Sequence, residues 1–166
     1  MAVTRSLPAP SPPPEATQAQ ADAGTSITTY VSPDKLAGSV QGIKYLQMVA
    51  VDFTTAVATG DGQFYIHIPL ALNSMNLVYA HAEVITAGTT GTLDVQVANV
   101  TDGVDMLSTK LTVDSGETGS DTAAAPAVIN TARDDVATND QLRIDVDAVP
   151  TTAPLGLIVT LGFQLP

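Results

Sequence analysis

Cysteine and tryptophan are absent from this chain of 166 residues, histidine occurs twice, and aromatic residues make up 4%. Without cysteine there are no disulfides, no thiol nucleophile and no thiolate metal site. His67 and His81 leave little material for a transition-metal centre or a catalytic triad. Basic residues are scarce as well: Lys+Arg total 6 against 17 Asp+Glu, a formal net charge of -11. Nucleic acid is bound through cationic contacts to phosphate, so this balance argues against it. It argues equally against docking on anionic lipid. No apolar run approaches the roughly 20 residues of a membrane span. The first residues include Arg5 but lack the apolar stretch of a secretory signal.

What is present is apolar and small. Apolar residues make up 45% of the chain, which is a globular composition. The length fits one domain plus an appendage. Charge divides the chain: Asp61 to Pro150 holds thirteen acids and the three bases Lys110, Arg133 and Arg143, whereas the first 60 residues hold four acids and three bases.

Pro8, Pro10, Pro12, Pro13 and Pro14 predict an extended polyproline arm that cannot join an ordinary sheet. The stretch Glu15–Ala23 reads as helix, stopped by Gly24. A second short helix is expected after Ser32 as N-cap, with Pro33 in its first position and Gly38 at its end. After Gly42 the apolar period changes to two. Strands are expected over 43–53, 63–68, 76–86, 92–100, 106–113, 125–130, 141–149 and 155–165. Turns are expected at Gly60-Asp61-Gly62, at Gly88-Thr89-Thr90-Gly91 as a hairpin, and at Asp102-Gly103. Residues 114–122 and 131–140 read as polar loops. In the third strand Leu77, Tyr79, His81, Glu83 and Ile85 share one face by alternation, and Val78, Ala80, Ala82 and Val84 the other.

These patterns predict an all-β fold: an antiparallel β-sandwich, with a jelly roll as first choice, over 43–166, preceded by an anchoring arm with short helices over 1–42. The core is lean in aromatics, and oligomerisation is the usual remedy.

No nucleophile elbow, phosphate loop, zincin helix or EF-hand loop occurs. His81 and Glu83 would lie side by side on a strand, but a third metal ligand is not identifiable. With Tyr79 they read as a polar strip on a sheet face or at a subunit contact. Asp145 and Asp147 project from one strand face beside Arg143 and read as a solvated face; calcium shared with Asp134, Asp135 or Asp140 is the alternative. Asp102 and Asp105 are weighed in the same way. A carbohydrate-binding sandwich would need aromatic platforms, for which Tyr65 and Tyr79 are the obvious residues. No residue is assigned a catalytic, cofactor-binding or metal-binding role.

The segment Ala16-Thr17-Gln18-Ala19-Gln20-Ala21-Asp22-Ala23-Gly24-Thr25, followed by Tyr30-Val31-Ser32-Pro33-Asp34-Lys35-Leu36, resembles a motif near the N-terminal part of fibre and appendage proteins of tailed-bacteriophage virions. The rest of the chain looks like the small β-domains of phage heads and tails. The resemblance implies a non-enzymatic, homotrimeric virion component on the outer surface of the particle. Two roles are expected. In the first, a capsid decoration or cement protein, the arm lies on the major capsid protein. In the second, a short tail fibre or receptor-binding appendage, the same segment docks on a tail or baseplate protein. The absence of a long repetitive shaft favours the first. The arm's expected partner contacts are Val3, Leu7, Pro8, Pro12, Ile27, Tyr30, Val31 and Leu36. The β-domain's expected oligomer contacts are Tyr79, His81 and Glu83, or the strand over 43–53.

Overall fold

Period-two alternation needs two buried inner faces, and the computed structural model, which describes residues 11–166, provides them as two antiparallel sheets sharing one core. The chain divides into two compact units between Gly42 and Ile43.

In the first unit residues 15–42 fold back on themselves. Helix α1 (Gln18–Ala23) starts in a reciprocal capping box. The Gln20 N–H donates to Thr17 Oγ1 (3.3 Å), and Thr17 N–H donates to Gln20 Oε1 (3.0 Å). Gly24 ends α1 in the left-handed conformation (φ 62°), which costs glycine nothing. Helix α2 (Pro33–Ala37) has Pro33 in its first turn. Ser32 holds the N-cap position, but its hydroxyl does not cap the helix; it donates to Glu15 Oε1 instead. The expected proline arm is represented here only by residues 11–14, which take no helix. Val3, Leu7, Pro8 and Pro10 lie outside the described residues.

The second unit contains β1 (Lys44–Ala56), β2 (Gly60–His67), β3 (Met75–Glu83), β4 (Leu93–Asn99), β5 (Val104–Asp105), β6 (Leu107–Thr109), β7 (Leu111–Val113), β8 (Val128–Ile129), β9 (Asp135–Val136), β10 (Gln141–Ala148) and β11 (Leu155–Gln164). One sheet has the order β1-β11-β3-β9. The other has the order β2-β10-β4-β5, with β7 also paired to β4. A small β6-β8 ladder is separate. The first four strands therefore alternate between the sheets, and the last three do so again. Leu157, Val159, Leu161 and Phe163 from β11 meet Leu142, Ile144 and Val146 from β10 and Leu93, Val95 and Val97 from β4 in the shared core. Fully burying each such side chain contributes about 1.5–3 kcal/mol.

Several local expectations are corrected. Gly88–Gly91 is not a β-hairpin, because β3 and β4 belong to different sheets. The segment crosses between the sheets and pairs with the stretch before β11: Thr89 N–H donates to Thr152 O (3.1 Å), and Thr151 N–H to Thr90 O (2.9 Å). Gly60-Asp61-Gly62 is the bulged start of β2, not a turn. In β3 a bulge falls between Tyr79 and Leu77, opposite Gly162 and Phe163. It inverts the expected phase, so Leu77 is buried and Val78 exposed. The run 106–113 is split, with β6 pairing to β8 and β7 to β4. The polar stretch 131–140 contains β9, whose Val136 joins the core.

The face carrying Asp145 is solvated only in part: Asp147 is exposed and Arg143 half-buried, but Asp145 is not open to solvent. Asp145 is 4% exposed and accepts from Gly62 N–H (2.8 Å) on the bulge of β2. Arg143 Nε lies 2.7 Å from Asp145 Oδ1, and Arg143 Nη2 donates to Oδ2 at 2.8 Å. Arg143 also reaches Asp61 (3.2 Å). The adjacent Asp145 carboxylate raises the guanidinium pKa above its ordinary value. Asp147 pairs with Lys110 at 2.8 Å, which likewise raises the lysine pKa.

Candidate functional site

The first unit interlocks the residues of its motif. Ala16 N–H donates to Tyr30 O (2.8 Å), and Tyr30 N–H to Pro14 O (3.2 Å), joining the two halves. Gln18 Nε2 donates to Lys35 O and to Asp22 Oδ1, both at 3.2 Å. Asp22 Oδ1 also accepts from Val40 N–H (3.3 Å), and Asp22 O accepts from Gln41 Nε2 (3.1 Å). Among the described residues the buried members of this unit are Ala16, Ala21 and Ser39, all small. The large apolar side chains face outward. Ile27 is 96% exposed, and Tyr30, Val31, Leu36 and Val40 are each about half exposed. Pro12 is exposed in the irregular segment before the helices. Ile27, Tyr30, Val31 and Leu36 thus stand on the surface of a small scaffold made from their own neighbours. Val40 belongs with them and was not singled out by the sequence; its apolar character between Ser39 and Gln41 is the only signal.

In the β-domain, Tyr79, His81 and Glu83 lie on the outer face of the β1-β11-β3 sheet, as parity after the bulge requires. Register places them in three rows: Tyr45, Gly162 and Tyr79; Gln47, Thr160 and His81; Val49, Ile158 and Glu83. Tyr45 and Tyr79 meet with ring centroids 5.7 Å apart at 80°, and Tyr79 stacks on His81 at 6.4 Å and 24°. Gln47 Nε2 donates to Thr160 Oγ1 (3.2 Å). At the far end Phe53 and Ile85 flank Gly156. Sequence reading placed the strand over 43–53 at an oligomer contact but did not single out Tyr45. Its parity with Gln47 and Val49, against Leu46 and Met48, is the signal that puts it outside.

His81 borders a shallow, open depression with Glu83, Glu117 and Asp121. Ser120 Oγ accepts from Ala82 N–H (2.9 Å) and lies 3.2 Å from His81 Nδ1, which fixes the ring. Among the described residues no three His, Asp or Glu side chains are grouped to hold a metal ion. Of the acids weighed for calcium, Asp140 and Asp102 are used internally: Asp140 Oδ2 accepts from Ala137 N–H (2.7 Å) and Asn99 Nδ2 (3.2 Å), and Asp102 accepts from Asn99 Nδ2 (2.8 Å). Tyr65 is half exposed on β2, in a different sheet from Tyr79, so the two do not form one aromatic platform. Among the described residues no helix is long and apolar enough to cross a membrane. Comparison with family models, curated proteins and solved structures found no match.

Proposed function

We propose that this chain is a non-enzymatic structural protein of a tailed-phage virion, most simply a homotrimeric capsid decoration protein. Its N-terminal unit binds the major capsid protein, and its acidic β-domain faces solvent on the outer surface of the particle. The observation that carries this reading is the inverted make-up of the first unit. Its interior is alanine and serine, while Ile27, Tyr30, Val31 and Leu36 are presented outward. Large apolar groups exposed close together in sequence, around an interior of small residues, are what an interaction site offers. The phage-like motif supplies the scaffold, through the cap at Thr17, the bridge from Gln18 and the turn at Gly24. The charge division supports it too, since the adhesive unit is nearly neutral and the β-domain carries almost all of the net charge. The strand order β1-β11-β3-β9 opposite β2-β10-β4-β5 supports the jelly-roll reading of that domain.

Copy number tests the reading. Quantitative mass spectrometry of virions carrying this chain should find hundreds of copies per particle. A few copies, located at the tail, would replace decoration with the tail-appendage reading, in which the same unit docks on a tail or baseplate protein. The chain lacking residues 1–42 should fold but not attach to particles. Attachment of the truncated chain at normal occupancy would refute the anchor role.

A further inference from the structure

Only one of the chain's seven aromatic residues, Phe163, is among the fully buried side chains. In a lean core this is an unusual use of the largest apolar groups. Three of the others, Tyr45, Phe53 and Tyr79, lie in the β1-β11-β3 sheet. With Val49, Val78 and Ile85 they are 40–55% exposed. Aromatic residues are enriched at interfaces between proteins.

The two sides of the sandwich differ. On the β3 side, β3 packs against β7 and β8, and its edge is taken by β9 and by residues 118–120. There Val84 N–H donates to Thr118 O (2.8 Å), and Ser120 N–H to Ala82 O (3.0 Å). On the opposite side β1 and β2 end their sheets, joined by residues 57–59. The outer edge of β1, thirteen residues long, pairs with no strand among the described residues. Natural edges are usually guarded by inward charge or proline. Between Tyr45 and Val51 this edge has neither.

We propose that copies of this chain associate through this side, with the β1 edge and the adjoining outer face of its sheet as the contact. Charge identifies the occupant. A chain of net charge -11 repels its copies over most of its surface. On β1 the only charged side chains are Lys44 and Asp52, and the Lys44 ammonium donates to Ala71 O. A cationic partner would be drawn to the acidic surface instead, whereas a second copy brings a matching, largely apolar one, on which β1, β11 and β3 together carry only Lys44, Asp52 and Glu83 as charged side chains. The inference deepens the trimer of the proposed reading. It rests on that reading only for the number of copies, not for attachment to a shell.

Sedimentation velocity on the full chain tests it, comparing wild type with Val49→Lys and Tyr79→Glu, and with Val128→Lys on β8 as control. Wild type and the control should sediment as the same oligomer. The two variants should dissociate at concentrations at least tenfold higher, with unchanged far-UV circular dichroism. Variants that keep the wild-type mass would overturn the location and leave the trimer standing. A monomeric wild type would overturn both, while shell attachment would still be judged by particle binding. Should the variants misfold, amide exchange of the wild type decides: the β1 amides that do not face β11 should be protected, and free exchange there would overturn the proposal.

Discussion

Tyr45 and Tyr79 meet edge to face across Gly162, which has no side chain to keep them apart. A Cβ at Gly162 would lie 2.9 Å from Tyr79 Cβ, 3.0 Å from Tyr45 Cε1 and 3.1 Å from Ile43 Cγ2. The Tyr79 contact is to an atom fixed to the backbone, so it cannot be relieved by rotating a side chain. Gly162→Ala should therefore destabilise the β-domain by about 1–3 kcal/mol, the usual cost of overpacking. The checks are the urea midpoint and the near-UV circular dichroism of tyrosine, which should weaken as the rings separate.

Removing Asp145 should cost more than removing Asp61, although both face Arg143. Asp145 is buried and holds Arg143 and the Gly62 amide together; Asp61 is exposed. Truncating Asp145 leaves the Gly62 amide without its acceptor and the partly buried Arg143 with Asp61 alone, at about 1–3 kcal/mol. An exposed pair contributes about 0–1 kcal/mol. Asp145→Ala should lower the urea midpoint accordingly, and Asp61→Ala should shift it little. Equal shifts would mean that the bulge of β2 does not shield the pair.

The contrast between these carboxylates shows where sequence reading stops. Strict alternation in 141–149 and 155–165 located β10 and β11 and their inner faces correctly, because each central strand buries one whole face. Alternation also placed Asp145 on the opposite face, but whether that face is wet depends on β2, more than 70 residues away. The bulge at Val78 inserts one residue, and a period-two pattern has no mark for it. Gly88–Gly91 has hairpin chemistry, yet the chain uses it to change sheets, a choice made by long-range pairing with residues 151–155. At the candidate site, Tyr79, His81 and Glu83 were legible as one strip. Their neighbours Tyr45 and Ile158 became visible only through register.

The first unit should loosen without disturbing the second. Thr17→Ala removes one half of the capping box, a loss of about 1 kcal/mol. Asp22→Ala removes the acceptor shared by Gln18 and the Val40 amide. Limited proteolysis of the full chain should show faster cleavage within 15–42 for both variants. The thermal midpoint of the β-domain should stay at the wild-type value, since the units are separately compact.

Asn99 ties the β4–β5 turn to the start of β10. It is 1% exposed, and its side-chain oxygen accepts from Thr101 N–H (3.1 Å) and Asp102 N–H (3.3 Å) while its amide donates to Asp102 and Asp140. Two further bonds close the same knot, from Val100 N–H to Gln141 O (2.8 Å) and from Gln141 N–H to Thr101 Oγ1 (2.9 Å). Asn99→Ala leaves the buried Asp140 carboxylate without its side-chain donor, and an unsatisfied buried polar group costs about 1–3 kcal/mol, more when it is charged. Asp102 is exposed, so Asp102→Ala gives up one contact and strands nothing. The expected order of urea midpoints is wild type, then Asp102→Ala, then Asn99→Ala. Amide exchange should quicken at residues 100–103 in the Asn99 variant. The reverse order would mean that the turn is held by its backbone bonds alone.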